Sequence, residues 1–191
     1  MLAELELKAV VPDPEALRAR LGSAGAIAGF RGRMTDRRYD RIGELAARDE
    51  VLRIRTYHHP DRSAESVLAW KGATTRSPEG YKLRQEIELA VQSEHGAAER
   101  LLVALGYAPV HLIEREVEIY RVHEATVRLE RYPAMDALVE VEGDPDAIER
   151  AIEVSGIPRG DFTAEALSEF VRRYEARTGA LARLSGESGA W

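Results

Sequence analysis

The chain has 191 residues, no cysteine and a formal net charge of −6, with 45% hydrophobic and 31% charged residues. Such a length supports one domain with a substantial core, and the missing cysteine excludes a disulfide, a thiolate nucleophile and a cysteine-held zinc, so any metal must rest on oxygen or histidine. The acidic balance argues against broad attraction to nucleic acid, whose phosphates reward a basic surface, although a local cluster of Lys and Arg can still hold a small anion.

The N-terminus, Met1-Leu2-Ala3-Glu4, lacks the basic-then-apolar pattern of a signal peptide, and no window approaches the ~20 apolar residues of a membrane-spanning helix. No nucleic-acid or membrane partner is expected, and a cytoplasmic location is. Leu5-Glu6-Leu7-Lys8 alternates with the period of a half-buried strand, so a strand spans Leu2 to Val10. Asp13-Pro14 supplies an N-cap and a first-turn proline, and Leu17 and Leu21 follow at helical spacing before Gly22 and Gly25. Strand-like runs come next around Met34 to Asp40, Val51 to Tyr57 and Ser66 to Lys71, broken by a His58-His59-Pro60-Asp61 loop. Gly72 to Gly80 reads as a loop and Tyr81 to Val91 as a strand. Ser93 caps a helix carrying Ala98, Leu101, Leu102 and Leu105 and ending at Gly106.

Three further strands follow: His111 to Val122, Ala125 to Tyr132 and Ala137 to Glu142, making eight. Asp144-Pro145 opens a helix with Ile148 and Ile152, and Thr163-Ala164-Glu165 opens a last one with Leu167, Phe170, Val171 and Tyr174. That final stripe is read as covering its own barrel, with a homodimer surface as the alternative. One domain over residues 1–178 is expected, followed by a flexible tail, 179–191, containing Ser185-Gly186-Glu187-Ser188-Gly189.

The strands carry charge on their non-apolar faces. Residues two apart in a strand share a face, which groups Glu4, Glu6 and Lys8; Arg53 and Arg55; Lys82, Arg84, Glu86 and Glu88; Arg128 and Glu130; and Glu140 and Glu142. A solvated outer face is the ordinary explanation of such alternation. Two details favour an inward face instead. The positions are nearly all Glu or Arg, and Arg suits bidentate phosphate contact. Like charges also repeat on one face at Glu4 and Glu6, Glu86 and Glu88, and Glu140 and Glu142, where a hard divalent cation would relieve their repulsion. Closing the sheet with this face inward would make a cavity suited to a metal-complexed polyphosphate and leave the apolar faces to the helices. His58-His59 with Asp61 is read as a solvated turn rather than a metal site.

The ordered motifs resemble those of the CYTH superfamily, the triphosphate tunnel enzymes that include class IV adenylyl cyclase, thiamine triphosphatase and inorganic triphosphatases. Glu4-Leu5-Glu6-Leu7-Lys8 matches the ExExK signature, and Asp36-Arg37-Arg38-Tyr39-Asp40, Leu52-Arg53-Ile54-Arg55 and Leu68-Ala69-Trp70-Lys71-Gly72 look like the segments that follow it. Arg84-Gln85-Glu86-Ile87-Glu88, Leu105-Gly106-Tyr107, Val127-Arg128-Leu129-Glu130 and Val139-Glu140-Val141-Glu142 complete the series in order.

The resemblance implies an α+β fold: a closed eight-stranded antiparallel β-barrel, or tunnel, with helices packed outside. It implies a small-molecule triphosphate substrate and Mg²⁺ or Mn²⁺ as cofactor. By matching position, Glu4, Glu6, Glu130, Glu140 and Glu142 are metal candidates. Lys8, Arg53, Arg55, Lys71, Arg84, Arg115 and Arg128 are phosphate candidates, and Lys8, Glu4 and Glu6 are also catalytic candidates. Glu86 and Glu88 are implied as charge partners for the basic residues. Three departures bear on substrate preference: Glu130 stands where an Asp is usual; Val117 stands where a basic residue is expected, so that one phosphate contact is missing or supplied by Arg121; and Arg38 stands where an aromatic is frequent. Metal-dependent triphosphate hydrolysis is the expected activity. The alternatives are cyclisation of ATP to cyclic AMP and pyrophosphate, and a non-catalytic polyphosphate-binding module.

Overall fold

The structure, a computed structural model, describes residues 3–91 and 96–186, with the backbone alone at residues 3 and 4. Nine strands are described: β1 (Ala3–Val10), β2 (Ile27–Asp40), β3 (Val51–His58), β4 (Glu65–Lys71), β5 (Thr75–Arg76), β6 (Lys82–Val91), β7 (Ala108–Val122), β8 (Ala125–Arg131) and β9 (Leu138–Glu142). The helices are α1 (Pro14–Ser23), α2 (Glu44–Ala47), α3 (Ala97–Ala104), α4 (Pro145–Ser155) and α5 (Leu167–Thr178). None of these is long and apolar enough to cross a membrane.

Eight strands close into an antiparallel barrel in the order β1-β9-β8-β7-β2-β3-β4-β6, and β6 pairs back onto β1 through Leu5↔Leu83 and Glu6↔Lys82. Closure removes every long free edge. The two-residue β5 pairs with Leu83 and Lys82, extending the place of β4 beside the start of β6.

The fold is an inverted barrel in the sense the alternation suggested. Leu7 and Ala9 of β1, Val127 and Leu129 of β8, and Val139 and Val141 of β9 turn outward and are buried under Leu17 and Leu21 of α1 and Ile148 and Ile152 of α4. A smaller outer cluster joins Tyr39, Ile54 and Leu102 of α3. Each such Leu or Ile contributes roughly 1.5–3 kcal/mol through removal from water. Glu6 and Lys8 of β1, Arg128 and Glu130 of β8, and Glu140 of β9 are thereby committed to the interior.

Local chemistry sets the helix ends. The Asp13 carboxylate accepts from the backbone N–H groups of Glu15 and Ala16, both at 3.0 Å, and Pro14 occupies the first turn of α1. α4 stops at Gly156 in the left-handed region, where a Cβ would stand 2.6 Å from the Arg20 guanidinium carbon of α1. The expected cap Ser93 lies outside the described residues.

Three features differ from the expectation. β2 begins at Ile27, seven residues before Met34, because it pairs along its length with β7. α2 and β5 are additional, and both are too short to carry a periodic signal. α5 begins at Leu167 instead of Thr163, since Thr163 and Lys8 exchange backbone hydrogen bonds of 2.8 and 2.9 Å that hold this stretch against β1. Beyond Gly179, Arg183 exchanges backbone hydrogen bonds with Ala134 (2.8 and 3.1 Å), and the Leu184 carbonyl accepts from the Glu114 N–H at 2.6 Å.

Candidate functional site in the barrel interior

The inward faces surround a cavity of about 480 Å³ lined by nine Lys and Arg residues and five carboxylates. Leu167, Ser168 and Val171 of α5, with Leu184, contribute to its wall. Strand register sets opposite each other the pairs Asp36–Arg55, Glu140–Lys8, Glu140–Arg128, Glu6–Lys82 and Glu86–Lys71, and diagonal contacts add the others.

Asp36 of β2 is one centre. Directly opposite, Arg55 forms a two-pronged contact, with Nε to Oδ1 at 2.8 Å and Nη2 to Oδ2 at 3.1 Å. Arg115 adds a hydrogen bond to Oδ2 at 2.9 Å, and Arg53 an ion pair at 3.5 Å. Burial opposes the charged Asp36, but the three guanidinium groups, Arg55 first, hold its carboxyl well below the usual range. Arg115 also donates through Nε to Glu130 at 2.9 Å, and Glu130 accepts the Tyr132 hydroxyl at 2.6 Å.

Glu140 of β9 is the other centre. It stands between Lys8 of β1 and Arg128 of β8 in register and makes close ion pairs to both. Lys8 also donates to Glu6 at 2.7 Å, Lys82 is paired with Glu6, and Arg128 lies 3.1 Å from Glu142. Burial and Glu140 push the Glu6 carboxyl up, and Lys8, Lys82 and Lys71 outweigh them, leaving it below its ordinary value. Burial disfavours the Lys8 ammonium, and Glu140 and Glu6 reverse this, raising its pKa.

Glu6, Glu140 and Glu142 each offer an oxygen within 4.8 Å of the others. A set of carboxylate oxygens with no sulfur or nitrogen donor suits a hard cation such as Mg²⁺ or Mn²⁺, so the residues present fit the implied metal. Glu130 stands outside this grouping, its carboxylate taken by Arg115 and Tyr132. The side chain of Glu4 lies outside the described residues.

No protein-family model and no curated protein matches the chain in sequence. Solved structures do match in shape. A candidate adenylate cyclase from Vibrio parahaemolyticus superposes with a TM-score of 0.71 at 16% identity, covering 88% of this chain and 97% of its own. The PH1819 protein from Pyrococcus horikoshii gives 0.70 at 23% identity, covering 89% and 98%. A candidate adenylyl cyclase from Hippeastrum with a dominant triphosphatase activity gives 0.62 at 18% identity, covering 98% and 100%. The fold is the one these solved structures share.

The tunnel brings the remaining candidates to one cavity. Lys71 pairs with Glu86 at 2.8 Å, and Arg53 reaches the same carboxylate at 3.4 Å. Arg84 lines the cavity with its Nε donating to the Gly72 carbonyl at 2.6 Å. Glu88, expected to act like Glu86, is exposed and makes no ion pair among the described residues. Arg121 is exposed and does not line the tunnel cavity, so it does not replace the basic residue expected at the buried Val117. Phe170 is buried against its own chain. His58 bonds the Thr35 hydroxyl at 3.1 Å and His59 packs edge-on against Phe30.

Sequence reasoning grouped Lys82 on the charged face without giving it a role, and overlooked Asp36, Arg38, His111 and Tyr132 as wall residues. The signal was present for Lys82 and Arg38, which share parity with Arg84 and Asp36 on their strands. Tyr132 shares the parity of Arg128 and Glu130 but was passed over because it is uncharged and ends the expected strand, one residue beyond β8.

Proposed function

We propose that the chain is a CYTH enzyme that hydrolyses a triphosphate with the help of Mg²⁺ or Mn²⁺, working in the cytoplasm. The observation that carries this reading is the nine-to-five excess of Lys and Arg over carboxylates in a buried cavity of a chain whose net charge is −6. A cavity of opposite sign to the whole molecule, walled by low-dielectric protein, focuses its field on an anion.

Glu6, Glu140 and Glu142 would hold the metal, with Glu4 and Glu130 as further carboxylates of the matching motifs. When bound, the divalent ion neutralises charge on phosphate oxygens and lowers the pKa of water. Arg53, Arg55, Lys71, Arg84, Arg115 and Arg128 grip the phosphoryl oxygens, and Lys8 donates hydrogen bonds there as an ammonium. In the hydrolysis a water oxygen bonds to a terminal phosphorus, the bridging P–O bond breaks, and the leaving phosphate carries away the bond's electron pair. The guanidinium groups stabilise the charge that accumulates on those oxygens, which is the main work left to a protein in phosphoryl transfer.

Cyclisation of ATP is the second reading, favoured by the shape match to the candidate cyclase from Vibrio parahaemolyticus. Phosphorus NMR of the purified protein with ATP or tripolyphosphate and Mg²⁺ or Mn²⁺ separates the two. Orthophosphate with ADP or pyrophosphate is the expected result. Pyrophosphate with a cyclic nucleotide would make it a cyclase, and no turnover of either would leave a polyphosphate-binding module.

A further inference from the structure

Arg38 of β2 lines the tunnel and differs from the cations around it. Arg55, Arg115, Arg128, Lys8 and Lys82 each hold a carboxylate, whereas Arg38 has no ion pair among the described residues; its Nε, like those of Arg53 and Arg128, is buried without a hydrogen bond. Its cross-strand neighbour on β3 is Arg53 and on β7 is His111, with Cα atoms in register on both sides. Like charges directly opposite in a sheet repel, and the buried, unbonded Nε of this half-buried side chain adds a desolvation cost. Burial, with Arg53 and Arg115, pulls the Arg38 pKa down to about 10, so the side chain stays charged at neutral pH despite its surroundings. Both costs disappear when an anion stands between these groups.

The position of Arg38 gives that anion a place in the substrate. In the eight-stranded order β2 is four steps from β1 in either direction, so Arg38 is on the wall facing β1, away from Glu6, Glu140 and Glu142. Asp36, two residues earlier on the same face, is already neutralised by three arginines. Arg38 is therefore available, from the wall opposite the carboxylate grouping, to an anionic group that those carboxylates do not hold.

We propose that Arg38, between Arg53 and His111, forms a further anion subsite that takes a charged phosphoryl end of the substrate, so that the tunnel favours an inorganic oligophosphate over a triphosphate ending in a sugar and base. This rests on the triphosphate reading of the tunnel. An esterified end places an uncharged sugar where the guanidinium remains unpaired. A free phosphoryl end supplies a bidentate acceptor that Arg is shaped to hold.

The test compares wild type, Arg38→Met and Arg38→Lys by calorimetric titration with tripolyphosphate and with ATP, in chelator and with Mg²⁺, alongside steady-state turnover and melting curves. Arg38→Met is expected to shift the tripolyphosphate-to-ATP preference in binding by about tenfold toward ATP, the scale of one charge-assisted contact. Arg38→Lys should restore part of it. Without ligand, Arg38→Met should melt at or above the wild-type temperature, because it removes an uncompensated charge, and should gain less from tripolyphosphate. An unchanged preference, or a lower melting temperature of the ligand-free Arg38→Met protein, overturns the subsite. If the wild type turns over either triphosphate while the preference ignores Arg38, the subsite fails and the hydrolase reading stands. If it turns over neither but its binding preference follows Arg38, the subsite stands and the hydrolase reading fails.

Discussion

Asp36 shows how one residue organises the tunnel. Its carboxylate is 1% exposed and faces Arg55, Arg115 and Arg53, so it is a counter-charge that fixes three guanidinium groups of the cavity wall in position. Asp36→Asn leaves three buried guanidinium groups short of their partner and should cost on the order of 3–5 kcal/mol. The pH dependence has a definite sign. Because the folded carboxyl titrates well below its ordinary value, its contribution is fully present above the unfolded value and is lost as pH falls through the folded one. Melting temperature measured from neutral pH down to about pH 2 should therefore fall more steeply in wild type than in Asp36→Asn below about pH 4. Parallel curves would show that Asp36 is not the clamp. Sequence reading missed this role because a lone Asp in a strand gives no sign of the arginines that register places opposite it.

At the scale of elements, sheet and helices divide the labour, and mutation can separate them. Ile148 of α4 is fully buried in the outer core with Val139 and Val141 behind the wall that carries Glu140. Ile148→Ala should destabilise by about 2–5 kcal/mol from lost contact and cavity formation. It should leave KM for the triphosphate within about twofold while the protein is folded, since no inward side chain is altered. Chemical denaturation alongside kinetics checks both halves, and a KM change as large as that of a tunnel variant would contradict the division. The same division explains what the sequence showed. Alternation in β1, β3, β8 and β9 placed the charged face, because a period of two cannot put Glu6 and Leu7 on the same side. Asp13-Pro14 and Asp144-Pro145 marked α1 and α4. The four-residue α2 has its N–H groups at Leu45 and Ala46 capped by the Asp40 carboxylate at the end of β2, outside the usual cap position at Gly43, and the two-residue β5 pairs with Leu83 and Lys82 of β6, so neither left a local signal. The delayed start of α5 likewise depends on Lys8, far away in sequence.

At the scale of the whole molecule, charge is partitioned: the chain is acidic by six units, yet the tunnel wall is richer in Lys and Arg than in carboxylates. The internal carboxylates occupy cations of the wall. Glu140 is shared between Lys8 and Arg128, and the same carboxylate belongs to the grouping suited to a divalent ion. Binding of a metal by Glu140 would thus compete with its two ion pairs and release Lys8 and Arg128 toward phosphate. Glu140→Gln should consequently act in opposite directions on two measurements. In chelator, tripolyphosphate should bind about tenfold more tightly, because two buried cations lose their shared internal anion. With Mg²⁺ or Mn²⁺, turnover should fall by at least about a hundredfold, the scale at which loss of a group that orients or stabilises the reacting charge is felt. Calorimetry and phosphate release on the same preparation read both. Weaker metal-free binding together with lost turnover would mean that Glu140 merely maintains the barrel, and the exchange of partners between wall, metal and substrate would have to be abandoned.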